Sequence, residues 1–266
     1  MKKTILTVVA GLILLLWQCA TVPLTGRKQM LFYSEGEVMQ MGLTSYGEFL
    51  KENKLSTDAR NTARVKEAGK KIAQAVETYF KSVGMENRIA GFQWEFNLVQ
   101  SPEVNAWCMP GGKVVFYEGI LPVCQTDAGI AVVMGHEIAH AIASHSNERM
   151  SQQMLVEAGS SAAAVLLKNK TEKTQQLWAT AIGLGANYGV VLPFSRHQET
   201  EADRLGLIFM AIAGYDPHEA VAFWTRMAQA SGGQNTPEFM STHPSDEHRI
   251  IDLNKDLQEA LQYYRP

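Results

Sequence analysis

Five consecutive residues, His136-Glu137-Ile138-Ala139-His140, interrupt an otherwise apolar run and constrain this chain more than any other feature. At about 100° per helical residue, side chains four apart lie within about 40° of each other, so both imidazoles leave one face and can grip a single ion. Glu137 projects from the neighbouring flank, close enough to act as a base on a water at that ion without being a ligand. The stretches on either side, Ala128 to Gly135 and Ala141 to Ala143, read as a buried helix. Polar side chains inside such a helix cost free energy unless they are paired or coordinated. That favours a zinc ion with hydrolytic chemistry over two solvated surface histidines.

A catalytic zinc usually takes three protein ligands, so a further His or acidic residue is needed. The segment Gln198 to Leu207 supplies candidates on a helix marked by Leu205, Ile208 and Ala211. Glu199 and Asp203 are four apart and share a face, whereas Glu201 lies about 200° round from Glu199. A zinc-bound imidazole normally gives its other N–H to a carboxylate or carbonyl. Glu199 as ligand with Asp203 as that acceptor meets both needs. Glu201 is then a solvated or salt-bridged helix residue, with Arg204 as a partner, although it competes with Glu199 for the ligand role. His145, five positions after His140, turns about 140° away and suits a capping or surface role. His197 is also turned from the ligand face, and His218 and His248 read as surface residues. His243 differs, because Pro244 stiffens its loop.

The pairing of His136-Glu137-x-x-His140 with Glu199-x-x-x-Asp203 resembles the gluzincin metallopeptidase family of the CAAX prenyl protease, mitochondrial Oma and HtpX. Cys19-Ala20-Thr21-Val22-Pro23-Leu24-Thr25-Gly26-Arg27, Asn105-Ala106-Trp107 before Pro110-Gly111-Gly112, and Thr242-His243-Pro244-Ser245 with Arg249 extend the likeness over nearly the whole chain. Within the family, the bacterial periplasmic and lipoprotein members that act on outer-membrane proteins are the most similar. The resemblance implies an α+β fold, a mainly helical zincin-like metallopeptidase domain with a small β-sheet beside the active-site helix. It implies one Zn2+ held by His136, His140 and Glu199, with Glu137 as base and Asp203 supporting a ligand. The loop at His243 then approaches the zinc, where His243 either fills the fourth coordination position or stabilises the oxyanion, and Arg249 adds positive charge. Substrates would be unfolded or misassembled envelope proteins. The alternative from another class is a zinc-containing chaperone or assembly factor for outer-membrane proteins that cuts little.

Lys2 and Lys3, then an apolar run from Ile5 to Trp17, then Cys19, have the layout of a secretory signal. The run falls short of the ~20 residues that span a bilayer. The expected organisation is a signal peptide over 1–18 and a single metallopeptidase domain over 19–266. Cys19 is expected to be lipidated, giving a periplasmic protein anchored to the outer membrane of a Gram-negative cell. Trp17 and Gln18 depart from the small residues usual before a lipidated cysteine, which leaves ordinary cleavage or a retained anchor as alternatives. Cys108 and Cys124 read as buried free thiols in preference to a disulfide. A net charge of −3 from 27 acidic and 24 basic residues gives no field to attract nucleic acid.

Helical spacing predicts helices over Ser34–Lys51 and Thr57–Ser82, the second capped by Ser56 or Thr57. Phe92, Trp94, Phe96 and Leu98 alternate with polar residues and predict a half-buried strand. Asn105–Met109 and Val114–Tyr117 flank Pro110-Gly111-Gly112 and predict a hairpin. Its open edge, with Asn105 and Ala106 beside the cleft in the resembled family, would bind an extended substrate. The long segment between His140 and Glu199, including Ala158–Leu167 and Ala179–Val191, reads as a helical hairpin on the core, or else as a mobile cover over the cleft or a surface that rests on the membrane.

Overall fold

The computed structural model describes residues 19–168, 170–173, 176, 180, 192–230, 237–243 and 248–265. The strands are β1 (Cys19–Thr21), β2 (Lys28–Met30), β3 (Glu95–Val99), β4 (Ala106–Met109) and β5 (Lys113–Tyr117). The helices are α1 (Glu35–Glu52), α2 (Ala59–Ser82), α3 (Leu121–Cys124), α4 (Asp127–Ile142) and α5 (His145–Leu167), then α6 (Leu192–Ile212), α7 (Glu219–Ala230), α8 (Glu238–Thr242) and α9 (Arg249–Ala260). The class is α+β and mainly helical, as the sequence implied. The chain divides into two compact units. One joins the residues up to Glu35 to Ser144–Ser195, and the other joins Gly36–Ala143 to the residues from Arg196 onward.

In the second unit the sheet runs β3-β5-β4, with β3 parallel and β4 antiparallel to the central β5. The expected hairpin between β4 and β5 is present. Gly111 and Gly112 turn it at φ of 91° and 89°, values that would strain any side chain, and the Gly112 amide donates to the Met109 carbonyl at 3.1 Å. The first strand departs from expectation. Pairing begins at Glu95 rather than Phe92, and Phe96 to Val99 are all buried. Both faces are covered: α2 approaches Phe96 so closely that a side chain on Gly69 would strike its ring, while Asn97 donates to the Tyr46 hydroxyl of α1 at 2.7 Å. Alternation read from sequence therefore overstated how much of this strand faces water.

Helix α2 starts later than the sequence suggested, because Asp58, not Ser56 or Thr57, is the cap and accepts from the Asn61 amide at 2.9 Å. Ser56 instead donates its amide to the Leu98 carbonyl of β3. Val65, Ala68, Ile72, Val76 and Phe80 bury one face of α2 against α4 and β3. Thr126 caps α4 by accepting from the Gly129 amide at 2.9 Å, and Asp127 in the first turn suits the helix dipole. Residues Gly129 to Ile142 of α4 are buried throughout. Ser144, at φ 56°, then ends the helical path before α5.

In the first unit, β1 and β2 form a hairpin that pairs Cys19 with Met30. Arg27 clamps Glu148 of α5 with two bonds of 2.7 and 2.8 Å. Asn147 donates to the Tyr33 carbonyl at 2.8 Å, and Ser151 accepts from the Phe32 amide at 2.9 Å. His145 is fully buried here, not at the surface. The rotation argument assumed an unbroken helix from His140, which Ser144 interrupts. Ala158–Leu167 is the largely exposed end of α5, with Val165 73% accessible, while Ala179–Val191 lies outside the described residues apart from Thr180. Among the described residues, no helix is long and apolar enough to cross a membrane.

Candidate metal centre

Helices α4 and α6 cross backbone to backbone. A β-carbon on Gly206 would sit 2.8 Å from the His136 amide nitrogen, and one on Gly135 would sit 2.8 Å from the Gly206 carbonyl oxygen. This contact turns the polar face of α6 directly toward that of α4. The two glycines went unremarked in the sequence reading, although a glycine inside a buried helix costs up to about 1 kcal/mol against alanine and so needs a packing reason.

His136, His140, Glu199 and His243 each contribute one donor atom to a buried group in which all four atoms lie within 4.8 Å of one another. His136 Nε2 is 3.1 Å from His140 Nε2, 3.2 Å from His243 Nδ1 and 3.3 Å from a Glu199 oxygen. His243 Nδ1 is 3.0 Å from that same oxygen. On the far side of the ring, His136 Nδ1 meets Asp203 Oδ1 at 2.8 Å. An N–H given to Asp203 leaves the Nε2 lone pair facing the centre.

This donor set fits a metal ion. Ring nitrogens and carboxylate oxygen converge with too few protons to separate them, and Glu199 Oε1 is buried with no hydrogen bond among the described residues. Acceptors facing acceptors in a dry site repel unless a cation lies between them. The electrostatics point the same way. Burial opposes charge on His136, yet the Asp203 and Glu199 carboxylates outweigh it and hold the pKa up at about 9. Burial likewise opposes charge on Glu199, but His140, His136 and His243 hold its carboxyl far below the usual range. The centre calls for positive charge, and imidazole with carboxylate is a donor set suited to zinc.

Around this group, Glu137 is buried with Oε1 3.4 Å from His243 Nε2. His243 is the C-cap of α8 and is buried among the converging residues, the side to which its sequence context directed it. Its amide bonds to the Phe239 carbonyl and its ring lies 4.6 Å from the Phe239 ring; Pro244 is outside the described residues. Arg249 is buried as well. It donates to Asp203 Oδ1 at 2.8 Å and stands 3.7 Å from the nearer Glu199 oxygen. Its guanidinium carbon sits 3.2 Å from the centroid of the Trp224 ring. Trp224 and Phe239 escaped the sequence reading, since an aromatic residue in an apolar helix carries no local mark of chemistry.

Glu201 is not among the four converging residues and is buried, which rules out the solvated alternative of the two expected for it, while its charge still acts on Arg204. His218 and His248 are exposed, in line with their surface reading, and His197 is exposed too, turned from the ligand face as expected. Asn105 and Ala106 lie at the start of β4, the outer strand of the sheet, which packs against α4. The Asn105 side chain accepts from the Ala106 amide at 2.9 Å, and its carbonyl accepts from the Tyr117 amide. Cys108 and Cys124 are free thiols. Burial, then the nearby Glu137 carboxylate, pushes the Cys108 thiol up, and burial pushes Cys124 up to about 12.

Residues 60–257 match peptidase family M48. The mitochondrial metalloendopeptidase OMA1 of Schizosaccharomyces pombe is 37% identical over 186 residues, which is 70% of this chain and 53% of that protein. OMA1 of Saccharomyces cerevisiae is 36% identical over 198 residues, 71% of this chain and 54% of that protein. The β-barrel assembly-enhancing protease of Escherichia coli is 27% identical over 240 residues, 87% of this chain and 46% of its own length. The chain thus spans about half the length of the curated relatives it matches.

Proposed function

Since the chain belongs to peptidase family M48, we propose that it is a zinc-dependent endopeptidase in which His136, His140 and Glu199 hold the metal and Glu137 is the catalytic base. The observation that carries the reading is the convergence of buried donor atoms around one point, with the Glu137 carboxylate on the same helix as two of them. Bound zinc would supply a Lewis acid that activates water and polarises the scissile carbonyl. Glu137 accepts the proton of the attacking water and returns it to the leaving amine. Asp203 holds the His136 ring in one tautomer through Nδ1, and Arg249 compensates the Asp203 charge.

His243 belongs to the same proposal as a fourth donor, supported by its 3.0 Å approach to Glu199. In that role it competes with water, and catalysis requires α8 to yield; its other role is as an oxyanion donor. His243→Ala raises cleavage of an unfolded protein in the first case and lowers kcat in the second. The outer edge of β4 supports an extended substrate paired main chain to main chain near Asn105 and Ala106.

We extend the proposal to location and substrate. Lys2, Lys3, the apolar run to Trp17 and Cys19 support export and lipidation, with residues 19–266 as one catalytic domain anchored in the periplasm. The name of the Escherichia coli relative supports envelope proteins, unfolded or misassembled, as substrates. Metabolic labelling with a fatty acid should vanish in Cys19→Ser. The test of the enzyme itself is Glu137→Gln, which keeps zinc and fold and loses proteolysis. Undiminished cleavage by that variant, free of contaminating protease, removes the mechanism. Full rescue of a strain lacking the protein by the same variant favours the assembly-factor alternative.

A further inference from the structure

The geometry points to Trp224 of α7 as a positioning residue for the metal centre, acting through Arg249 and Asp203 on the ring of His136. This inference rests on the zinc reading above. Trp224 is 2% accessible and touches the centre at two points. The Arg249 guanidinium carbon lies over its ring at 3.2 Å, and the His136 ring meets it edge to face at 5.6 Å with an interplanar angle of 69°. Phe239 also stacks on it at 5.8 Å and continues to the ring of His243. The indole therefore backs one member of the donor group directly, His136, and reaches a second, His243, only through Phe239.

The chemistry follows from which atoms share a partner. Asp203 Oδ1 receives both His136 Nδ1 and Arg249 Nη2, each at 2.8 Å. The direction of that carboxylate fixes the plane of the His136 ring and so the aim of Nε2. Arg249 can steer Asp203 only if its own long side chain is held, and the other polar contacts do little of this. Its Nε is buried without a hydrogen bond among the described residues, and its Nη1 makes a long bond of 3.4 Å to the main-chain carbonyl of His243. Beyond the Asp203 pair itself and a 3.7 Å approach of Nη2 to Glu199, the ring face of Trp224 holds the guanidinium plane in place, by cation–π attraction in a buried site.

The test reads zinc release, not activity, by mixing the zinc-loaded protein with excess chelator. Removing an outer partner of a metal-bound histidine commonly weakens the site by about 10- to 100-fold. Trp224→Leu should therefore speed release by about tenfold, and Trp224→Phe, which keeps a ring face, by about threefold or less. In an Arg249→Met background the same Leu substitution should add less than about twofold, because the side chain it acts through is gone. A purely structural tryptophan would give equal factors in the two backgrounds, and that result overturns the inference. Should the Leu variant fail to fold, tetrafluorotryptophan introduced at position 224 keeps the shape and drains charge from the ring face. Release several-fold faster, with unchanged melting of the zinc-free protein, is expected of it, and a wild-type release rate overturns the inference. A wild-type protein that holds no zinc would instead defeat the zinc reading itself, so the two failures are distinguishable.

Discussion

Two helices of this protein bury polar side chains, and they do so to opposite ends. On α5, Asn147, Glu148 and Ser151 are buried and each meets a complementary group: the Tyr33 carbonyl, the Arg27 guanidinium and the Phe32 amide. Donor faces acceptor throughout, and the network ties a helix to the chain before it. On α4, His136 and His140 face each other, Glu199 and His243 across gaps of 3.0 to 3.4 Å, with ring nitrogens and a carboxylate converging on one point instead of meeting separate partners. Burial of polar groups is common to both, so it does not identify a functional site. Convergence of lone pairs does, because only a shared cation relieves it.

The largest contrast is expected on removing the metal. A ligand present at about 1,000 times its Kd stabilises the folded state by about 4 kcal/mol, so chelation should lower Tm by many degrees and abolish proteolysis. A chelated protein that melts and cuts as before would break the comparison at its strongest point. The α5 network should answer a different perturbation. Glu148→Ala removes the bidentate pair to a partly buried Arg27 and should cost about 2 to 3 kcal/mol in denaturant unfolding, with zinc content unchanged. Ser151→Ala leaves the Phe32 amide unpaired and should cost about 1 kcal/mol, again without effect on zinc.

The smallest effect is expected at the rim of the metal centre, where Asp256 of α9 lies among Asp203, Asp252, Glu259 and Arg204. Burial, in spite of Arg204, pushes its carboxyl up to about 6. A raised folded-state pKa favours the protonated form, so this group's contribution is fully present below its unfolded value and is lost as pH rises through about 6. Asp256→Asn should raise stability by about 1 kcal/mol at pH 8, after allowance for solvent screening, and change it little below pH 4. A gain of equal size at both pH values would assign the effect to packing.

The metal-competent group was more legible in the sequence than the framework around it. Spacings of four on single helices bring His136 to His140 and Glu199 to Asp203, and helix geometry alone fixes those relations. The hairpin was legible through Gly111 and Gly112, whose backbone demands are local. What failed was whatever depended on a distant partner. Asn97 alternates outward by pattern, yet Tyr46 covers it; burial excludes the solvated alternative for Glu201; and His145 lies beyond a helix break at Ser144 that the rotation from His140 ignores. Trp224 falls in the same class, since only the fold brings it beneath Arg249.

The central claim is that the converging residues hold one zinc ion while the α5 network holds none. Elemental analysis of purified wild type, Glu199→Ala and Glu148→Ala tests it in a single experiment. The account predicts one zinc per chain in the wild type and in Glu148→Ala, and a large loss in Glu199→Ala. A full complement of zinc in Glu199→Ala, or none in the wild type, would contradict it.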